Sequence, residues 1–515
     1  MKITIRKIPI LILTLAILLC LPMTAQATQQ EAINITSSKL VTELKGFPSL
    51  YKLFDHNQQE SFKTEKTSSL TLEYADGMGS LYLIFLEAYG PYTITDNTTG
   101  AFFVAGTNGF AHEFIDLVAC FGTAPASVTI SFENGPVKLQ ELEVFTEGNV
   151  PDYVQKWEVP EEGKMDLILF AAHSDDDQLF FAGLLPYYGV EREYEVLVAY
   201  LTNHHNTMPF RIHEALDGLW AAGITNYPVF GEYRDFYTGT TLKEAFAKFE
   251  SFGSTQEDMT GFVVEQLRKF KPKVAVGHDL EGEYGHIQHI VYSKLLTDAV
   301  QIAGDAAHYP ELAAQYGTWD VPKTYIHLYP ENQIIMDWDQ PMEHFDGMTP
   351  FEVSKNLGFA AHGSQQTGWS WYFLGKKSAA DVTLYSPQEY GLYRTTVGQD
   401  VNKNDMFENL VSHAEDKRHE EELRLAEEAR LAEEARLAEE ARLAEETRLA
   451  EEARLAEEAR LAEEIRLAEA ARQEEEAKLA QEARLAQRNR IIIGIICMVL
   501  LGFGVIIVLF RSKKK

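Results

Sequence analysis

Leu167-Ile168-Leu169-Phe170-Ala171-Ala172-His173-Ser174-Asp175-Asp176-Asp177 is the stretch on which the reading of this chain turns. Its first six residues form an unbroken apolar run, the composition of a strand buried on both faces. The next five set a histidine and three acids at that strand's carboxyl end, the edge at which open parallel sheets bind their ligands. Three adjacent carboxylates repel one another, and a cation is the simplest compensation.

A second cluster, Gly282-Glu283-Tyr284-Gly285-His286-Ile287-Gln288-His289, follows another strand-like run, Lys273 to Gly277. Its two histidines are three residues apart and share one face of a helix start. Two histidines and one aspartate make an N,N,O set that suits zinc and leaves positions open for water and substrate. The intervening pattern predicts a helix from Gln178 to Tyr188, a strand from Glu195 to Leu201 and a helix from Phe210 to Ala222. A further helix is predicted from His289 to Ala303. Alternating strands and helices argue for a Rossmann-like, doubly wound α/β layer.

With Ala172-His173-Ser174-Asp175-Asp176-Asp177 and Gly285-His286-Ile287-Gln288-His289 in order, the chain resembles the PIG-L, or LmbE-like, family of zinc N-deacetylases. The likeness runs over roughly residues 160 to 410 and includes Arg211-x-x-Glu214 and His362-Gly-Ser-Gln365. The resemblance implies one zinc ion per chain, held by His173, Asp176 and His289. It implies that Asp175 is the base that takes a proton from the attacking water. It also implies that His286 hydrogen-bonds the oxyanion or helps protonate the departing amine. Arg211 is carried over as a substrate contact, with a surface salt bridge to Glu214 or Asp217 as the alternative. Three departures stand out: Ser174 replaces proline, Asp177 replaces glutamate, and Gln288 stands where many members have an aspartate that would keep His286 protonated.

Other polar and aromatic residues admit two readings each. His204 and His205 either face the site or are loop surface. His278 and Asp279 either support the metal ligands or make a turn. Trp369, Trp371 and Tyr372, after Gly368, either line a sugar subsite or pack a late loop against the core.

Before this segment, short apolar runs such as Ser80–Phe85, Pro91–Ile94, Ser127–Phe132 and Val137–Phe145 are separated by glycine-containing turns. They predict an all-β sandwich resembling discoidin-like carbohydrate-binding modules, with a glycan ligand or a plain spacer role. Tyr92 is expected either to stack on a sugar or to sit in the core.

The ends carry targeting signals. Lys2, Arg6 and Lys7, an apolar run from Ile8 to Leu21, and Ala25-Gln26-Ala27 have the layout of a secretory signal peptide cleaved after Ala27. Ile491 to Phe510 is an uncharged stretch of membrane-spanning length, followed by a basic tail expected to stay cytoplasmic. Between them, from Arg424 to Arg490, a basic residue recurs every six positions in an Arg-Leu-Ala-Glu-Glu-Ala unit. Successive leucines then fall about 120° apart on a helix, so no heptad seam forms. A solvated single helix is expected, with a loosely packed oligomer as the alternative and distance as its function. The domains are therefore expected at 1–27 (signal), 28–158 (β-sandwich), 159–414 (deacetylase-like), 415–490 (helical stalk), 491–510 (transmembrane) and 511–515 (cytoplasmic tail).

Of the net charge of −31, the signal (+3), the tail (+4) and residues 415–490 (−9) leave −29 for residues 28–414. Such an acidic body repels nucleic acid and favours neutral or cationic glycans. Cys120 is the only cysteine between signal and span, so the exported part can form no internal disulfide. The expectation is a membrane-tethered, extracellular hydrolase, on a bacterial surface, that removes the acetyl group from an N-acetylated sugar. The alternative is a glycan-binding adhesin or wall-associated protein built on an inactive deacetylase scaffold.

Overall fold

Leu167–Ala171 is a strand in the interior of a seven-stranded sheet. The spatial order is Val229–Tyr233, Val196–Thr202, Leu167–Ala171, Val274–Gly277, Lys323–His327, Glu389–Thr395 and Gln333–Ile335. The first five are parallel, with Leu169 opposite both Val198 and Val276. Glu389–Thr395 and Gln333–Ile335 close the edge antiparallel. The chain runs outward from Leu167–Ala171 in one direction and then returns to its other side, so the order reverses between Leu167–Ala171 and Val274–Gly277, the crevice at which such sheets bind ligands. This computed structural model describes residues 30–58, 61–204, 208–237, 239 and 241–511, with side chains left undescribed at 62 and 503–511. The signal-like segment 1–27, His205 and residues 512–515 lie outside the described residues.

Side-chain alternation sends the central strand into two cores. Leu167, Leu169 and Ala171 pack with Ile212, Leu216 and Leu219 of the Phe210–Ala221 helix. Ile168 and Phe170 pack on the opposite face with Val263 and Leu267 of Gln256–Phe270 and with Val291 and Leu295 of Ile287–Ile302. Cutting Leu169 back to alanine in such a site costs about 2–5 kcal/mol.

The expected helix from Gln178 to Tyr188 is not continuous. Only Asp176–Leu179 is α-helical, and a π-helical turn, Pro186–Glu191, follows. Gly183 lies between them at φ 98°, where a Cβ would stand 2.5 Å from the Trp338 ring, and Pro186 has no N–H to continue a helix.

Residues 41–145 form two antiparallel sheets, one of five strands and one of four. One core draws Leu70, Leu72, Val128 and Ile130 from the larger and Leu81, Leu83, Leu139 and Leu142 from the smaller. Tyr92 belongs to this core: it is buried, and its hydroxyl donates to Glu113 Oε2 at 2.7 Å. The sheets dock on the helix that follows Val196–Thr202. His112 Nε2 meets His213 Nδ1 at 2.7 Å, Gln155 Nε2 donates to Asp217 Oδ1 at 2.6 Å, and Phe110 stacks on Tyr227.

The chain divides into two units, residues 1–418 and 419–515. The second unit continues the helix His413–Arg511. Within it Arg430 pairs backward with Glu427 at 2.7 Å and forward with Glu434 at 3.5 Å, and Leu431, Leu437 and Leu443 are exposed. One window of this helix is long and apolar enough to cross a membrane, by length and composition.

Candidate active site

Five chain segments meet at the carboxyl edge of the parallel sheet. The loop after Leu167–Ala171 carries His173, Asp175 and Asp176; the turn after Val274–Gly277 carries His278 and Glu283. His286 caps the Ile287–Ile302 helix, whose first turn carries Gln288 and His289. Phe210–Ala221 brings Arg211, and the loop after Val229–Tyr233 brings Asp235.

His173 Nδ1, Asp176 and His289 Nε2 converge. Nδ1 of His173 is 3.2 Å from Asp176 Oδ2 and 3.2 Å from His289 Nε2, and His289 Nε2 is 3.3 Å from Asp176 Oδ1. Nitrogen and oxygen ligands at the corners of a tetrahedron around zinc stand roughly 3.3 Å apart. The remaining ring nitrogens hold the tautomers this requires. His173 Nε2 donates to Gln288 Oε1 at 2.9 Å and His289 Nδ1 donates to Glu283 Oε2 at 2.7 Å, which leaves a lone pair on each inward-facing nitrogen. Burial would favour neutral His173, yet Asp176 and Asp235 raise its pKa well above the ordinary value. The pocket therefore selects positive charge, and its donor set fits zinc.

His278 is a different case. Its Nε2 lies 3.4 Å from Asp176 Oδ2 but accepts the Ala172 backbone N–H at 2.9 Å, so its lone pair is spent on the strand end. Its Nδ1 donates to Glu283 Oε2 at 2.8 Å. The Oε1 oxygen of Glu283 receives His327 Nδ1 at 2.6 Å and the Asp279 N–H at 3.2 Å. One fully buried carboxylate thus ties three imidazoles together. Burial opposes its ionisation, but His278, His289 and His327 hold its pKa well below the usual value.

Asp175 is buried beside this group and receives Arg211 Nη2 at 2.6 Å. Burial raises its pKa, and the Arg211 charge partly offsets the rise. Arg211 is no surface residue: Glu214 instead accepts from Ser364 and Asp217 from Gln155. Asp177 is buried too, its pKa pushed up to about 8, so it is a neutral acid at pH 7.

His286 Nδ1 accepts the Gln288 backbone N–H at 3.3 Å. Burial, then the neighbouring His173 and His289, push its pKa down to about 2. The Gln288 N–H occupies Nδ1, which leaves Nε2 as the ring nitrogen available to donate. No carboxylate holds His286 protonated from position 288: the Gln288 amide turns its Oε1 to His173 and donates through Nε2 to the Arg234 carbonyl at 2.8 Å.

Four placements differ from, or go beyond, the simplest sequence readings. His204 is fully buried. Asp235 Oδ1 stands 3.5 Å from His173 Nε2, and Glu283 and His327 form the imidazole tie. The signal for Glu283 lay inside the quoted second cluster; Asp235 and His327 had none, being contributed by strand ends far away in sequence.

Residues 168–300 match the family model described as PIG-L, GlcNAc-PI de-N-acetylase. A 1D-myo-inositol 2-acetamido-2-deoxy-alpha-D-glucopyranoside deacetylase from Streptomyces avermitilis is 24% identical over 294 residues, 48% of this chain and 97% of that protein. A protein of the same description from Streptomyces scabiei is 26% identical over 302 residues, covering 49% of this chain and 92% of its own. Among solved structures, N,N'-diacetylchitobiose deacetylase from Pyrococcus horikoshii shares 12% identity at a TM-score of 0.32, over 45% of this chain and 83% of that one.

Proposed function

We propose, from the match of residues 168–300 to the PIG-L, GlcNAc-PI de-N-acetylase family model, that this chain hydrolyses the N-acetyl amide of an N-acetylglucosamine-type sugar with a zinc ion held by His173, Asp176 and His289. The observation that carries the reading is the convergence of those three donors at 3.2–3.3 Å beside the buried Asp175. The ion, when bound, supplies Lewis acidity to water and to the amide carbonyl.

Asp175 is the base. Burial raises its pKa, which gives it more affinity for a proton than an exposed aspartate has, and the Arg211 contact at 2.6 Å partly offsets the rise and fixes its direction. It takes the proton of the attacking water, then delivers it to the amine nitrogen as the C–N bond breaks and acetate leaves. His286 donates through Nε2–H to the oxygen that becomes negative in the tetrahedral intermediate. Burial first, and then His173 and His289, lower its pKa, which favours the neutral, donating form for this role. Arg211 is a positioning residue for Asp175.

A glycan-binding protein with a retired site has no need of the buried carboxylate that orders His278, His289 and His327. The two N-terminal sheets we read as a sandwich that docks on the Arg211 helix and takes a glycan. The 491–510 stretch we read as the single membrane anchor of a surface enzyme.

The test is zinc content and acetate release from N-acetylglucosamine compounds, comparing the full chain with Asp175→Ala. A parent that holds about one zinc and releases acetate, with a variant that holds zinc but does not turn over, supports the mechanism. Metal binding without acetate release from any of these sugars would sink it.

A further inference from the structure

Resting on that reading of the site, we propose that His112 and His213 are positioning residues for the reaction, so that the N-terminal sheets are a working part of the hydrolase and hold Arg211 on Asp175 through one imidazole pair. Arg211 is the second residue of the Phe210–Ala221 helix, and among the described residues no side chain caps that helix. Its N-cap is Pro209, and its first turn carries no acid to complement the helix dipole. The leading N–H groups of such a turn have no intrahelical partner, and the turn frays readily. Yet Arg211 Nη2 has to hold its 2.6 Å contact with Asp175 Oδ1. Ile212 anchors the turn in the core, but apolar packing is non-directional and does not fix rotation about the helix axis.

The direction comes from the sheets. His112 opens the strand His112–Asp116 at one edge of the four-stranded sheet, and both His112 and His213 are buried. The Tyr82 hydroxyl lies 2.9 Å from His112 Nδ1, and His112 Nε2 lies 2.7 Å from His213 Nδ1. A hydrogen-bonded chain of three side chains therefore runs from the sheet into the first turn of the helix. His112 is itself held in place, because Phe110 stacks on Tyr227 and the Ala111 N–H donates to the Tyr227 hydroxyl at 3.0 Å. The other ties on this face lie farther along the helix: Gln155 reaches Asp217, and Trp220 Nε1 donates to the Asp152 carbonyl at 2.6 Å. A cleft of about 430 Å³ borders the pair, lined by His56 and Asn57 on one side and by Phe210, Glu214 and Asp217 on the other. At the Arg211 end, the imidazoles thus bridge a gap that apolar packing does not close.

The experiment compares the full chain with His112→Leu, Arg211→Met and the double variant. His112→Gln, whose side-chain amide reaches the position of Nε2, is the rescue, and Tyr82→Phe, which removes only the first hydrogen bond of the chain, is the milder lesion. Acetate release from N-acetylglucosamine compounds gives kcat and KM, and zinc content and thermal midpoint are read on each protein. Hydrogen exchange of amides 214–217, which bond to carbonyls of the first turn, is followed separately. His112→Leu is expected to lower kcat about tenfold at unchanged KM and zinc content, and to speed that exchange about tenfold, with glutamine restoring both. Tyr82→Phe should move both readouts in the same direction by less. In the Arg211→Met background His112→Leu should lower kcat no further, because the two act through one contact. An unchanged kcat, a loss that multiplies with that of Arg211→Met, or unchanged exchange overturns the proposal. Absence of acetate release from every sugar in the parent overturns the deacetylase reading, while the exchange measurement still decides whether the pair holds the Arg211 turn.

Discussion

Replacing Glu283 by glutamine keeps the shape of the side chain and removes its charge, which makes it a sharp test of how the metal pocket is held. The native carboxylate accepts four hydrogen bonds: from His278 at 2.8 Å and His289 at 2.7 Å on one oxygen, and from His327 at 2.6 Å and the Asp279 N–H at 3.2 Å on the other. A carboxamide has only one accepting oxygen. If that oxygen faces His278 and His289, the amide NH2 confronts the Asp279 N–H; if it faces His327, the NH2 confronts two imidazole donors. Either orientation leaves at least one buried donor unpaired, at about 1–3 kcal/mol. Loss of the group that orients a ligating histidine typically weakens metal binding by about 10–100-fold. We therefore expect Glu283→Gln to bind zinc about 10–100-fold more weakly in competition with a chelator, and to recover acetate release at saturating zinc. The paired measurement is the thermal midpoint of metal-free protein, which should fall. A lowered midpoint with unchanged zinc affinity would show that Glu283 only braces the sheet edge, and the argument for a pre-ordered ligand would fail.

Further outcomes are specific. Arg211→Met should lower kcat with little change in zinc content, because Asp175 loses its 2.6 Å partner, and the acidic limb of the pH–rate profile should move upward as burial and Asp176 act without the Arg211 charge. Gln288→Leu should weaken zinc binding and leave the His286 role intact, since the amide orients His173; a pure loss of kcat would refute this. Asp177 is raised from 3.8 to about 8, so the folded chain keeps a proton that the unfolded chain gives up above about pH 4, and stability declines between these values as pH rises. Asp177→Asn, neutral throughout, should show a thermal-midpoint advantage over the parent that grows from pH 5 to pH 8; a pH-independent difference would contradict the assignment. Sedimentation of residues 415–490 should report a monomer, since the leucines share no seam, and a stable dimer would contradict that reading.

Much of the site was legible because its chemistry is concentrated in two short segments at strand ends. The apolar run before His173 could only be a buried strand, and a histidine and acids at its end could only face the sheet's carboxyl edge. What sequence reading lost is what depends on distant packing. The break at Gly183 follows from the Trp338 ring, which arrives from far along the chain. His204, polar and in a loop, is fully buried, with its Nε2 3.3 Å from Thr202 Oγ1 at the end of the neighbouring strand, a placement its sequence context does not signal. That the Gln288 amide points to His173 could not be read, because spacing alone gives no side-chain direction. Tyr92 shows the same limit in the β-sheets, where the Phe85 and Phe132 rings and the Glu113 contact place it inside.

The imidazole tie at Glu283 also has a consequence for distance. His278 and His289 share one of its oxygens and His327 meets the other. One carboxylate thereby couples the start of the Ile287–Ile302 helix to the ends of two neighbouring strands, Val274–Gly277 and Lys323–His327. A substitution at His327 would reach His289 through that single shared group, although the two histidines lie on different elements and 38 positions apart in the chain.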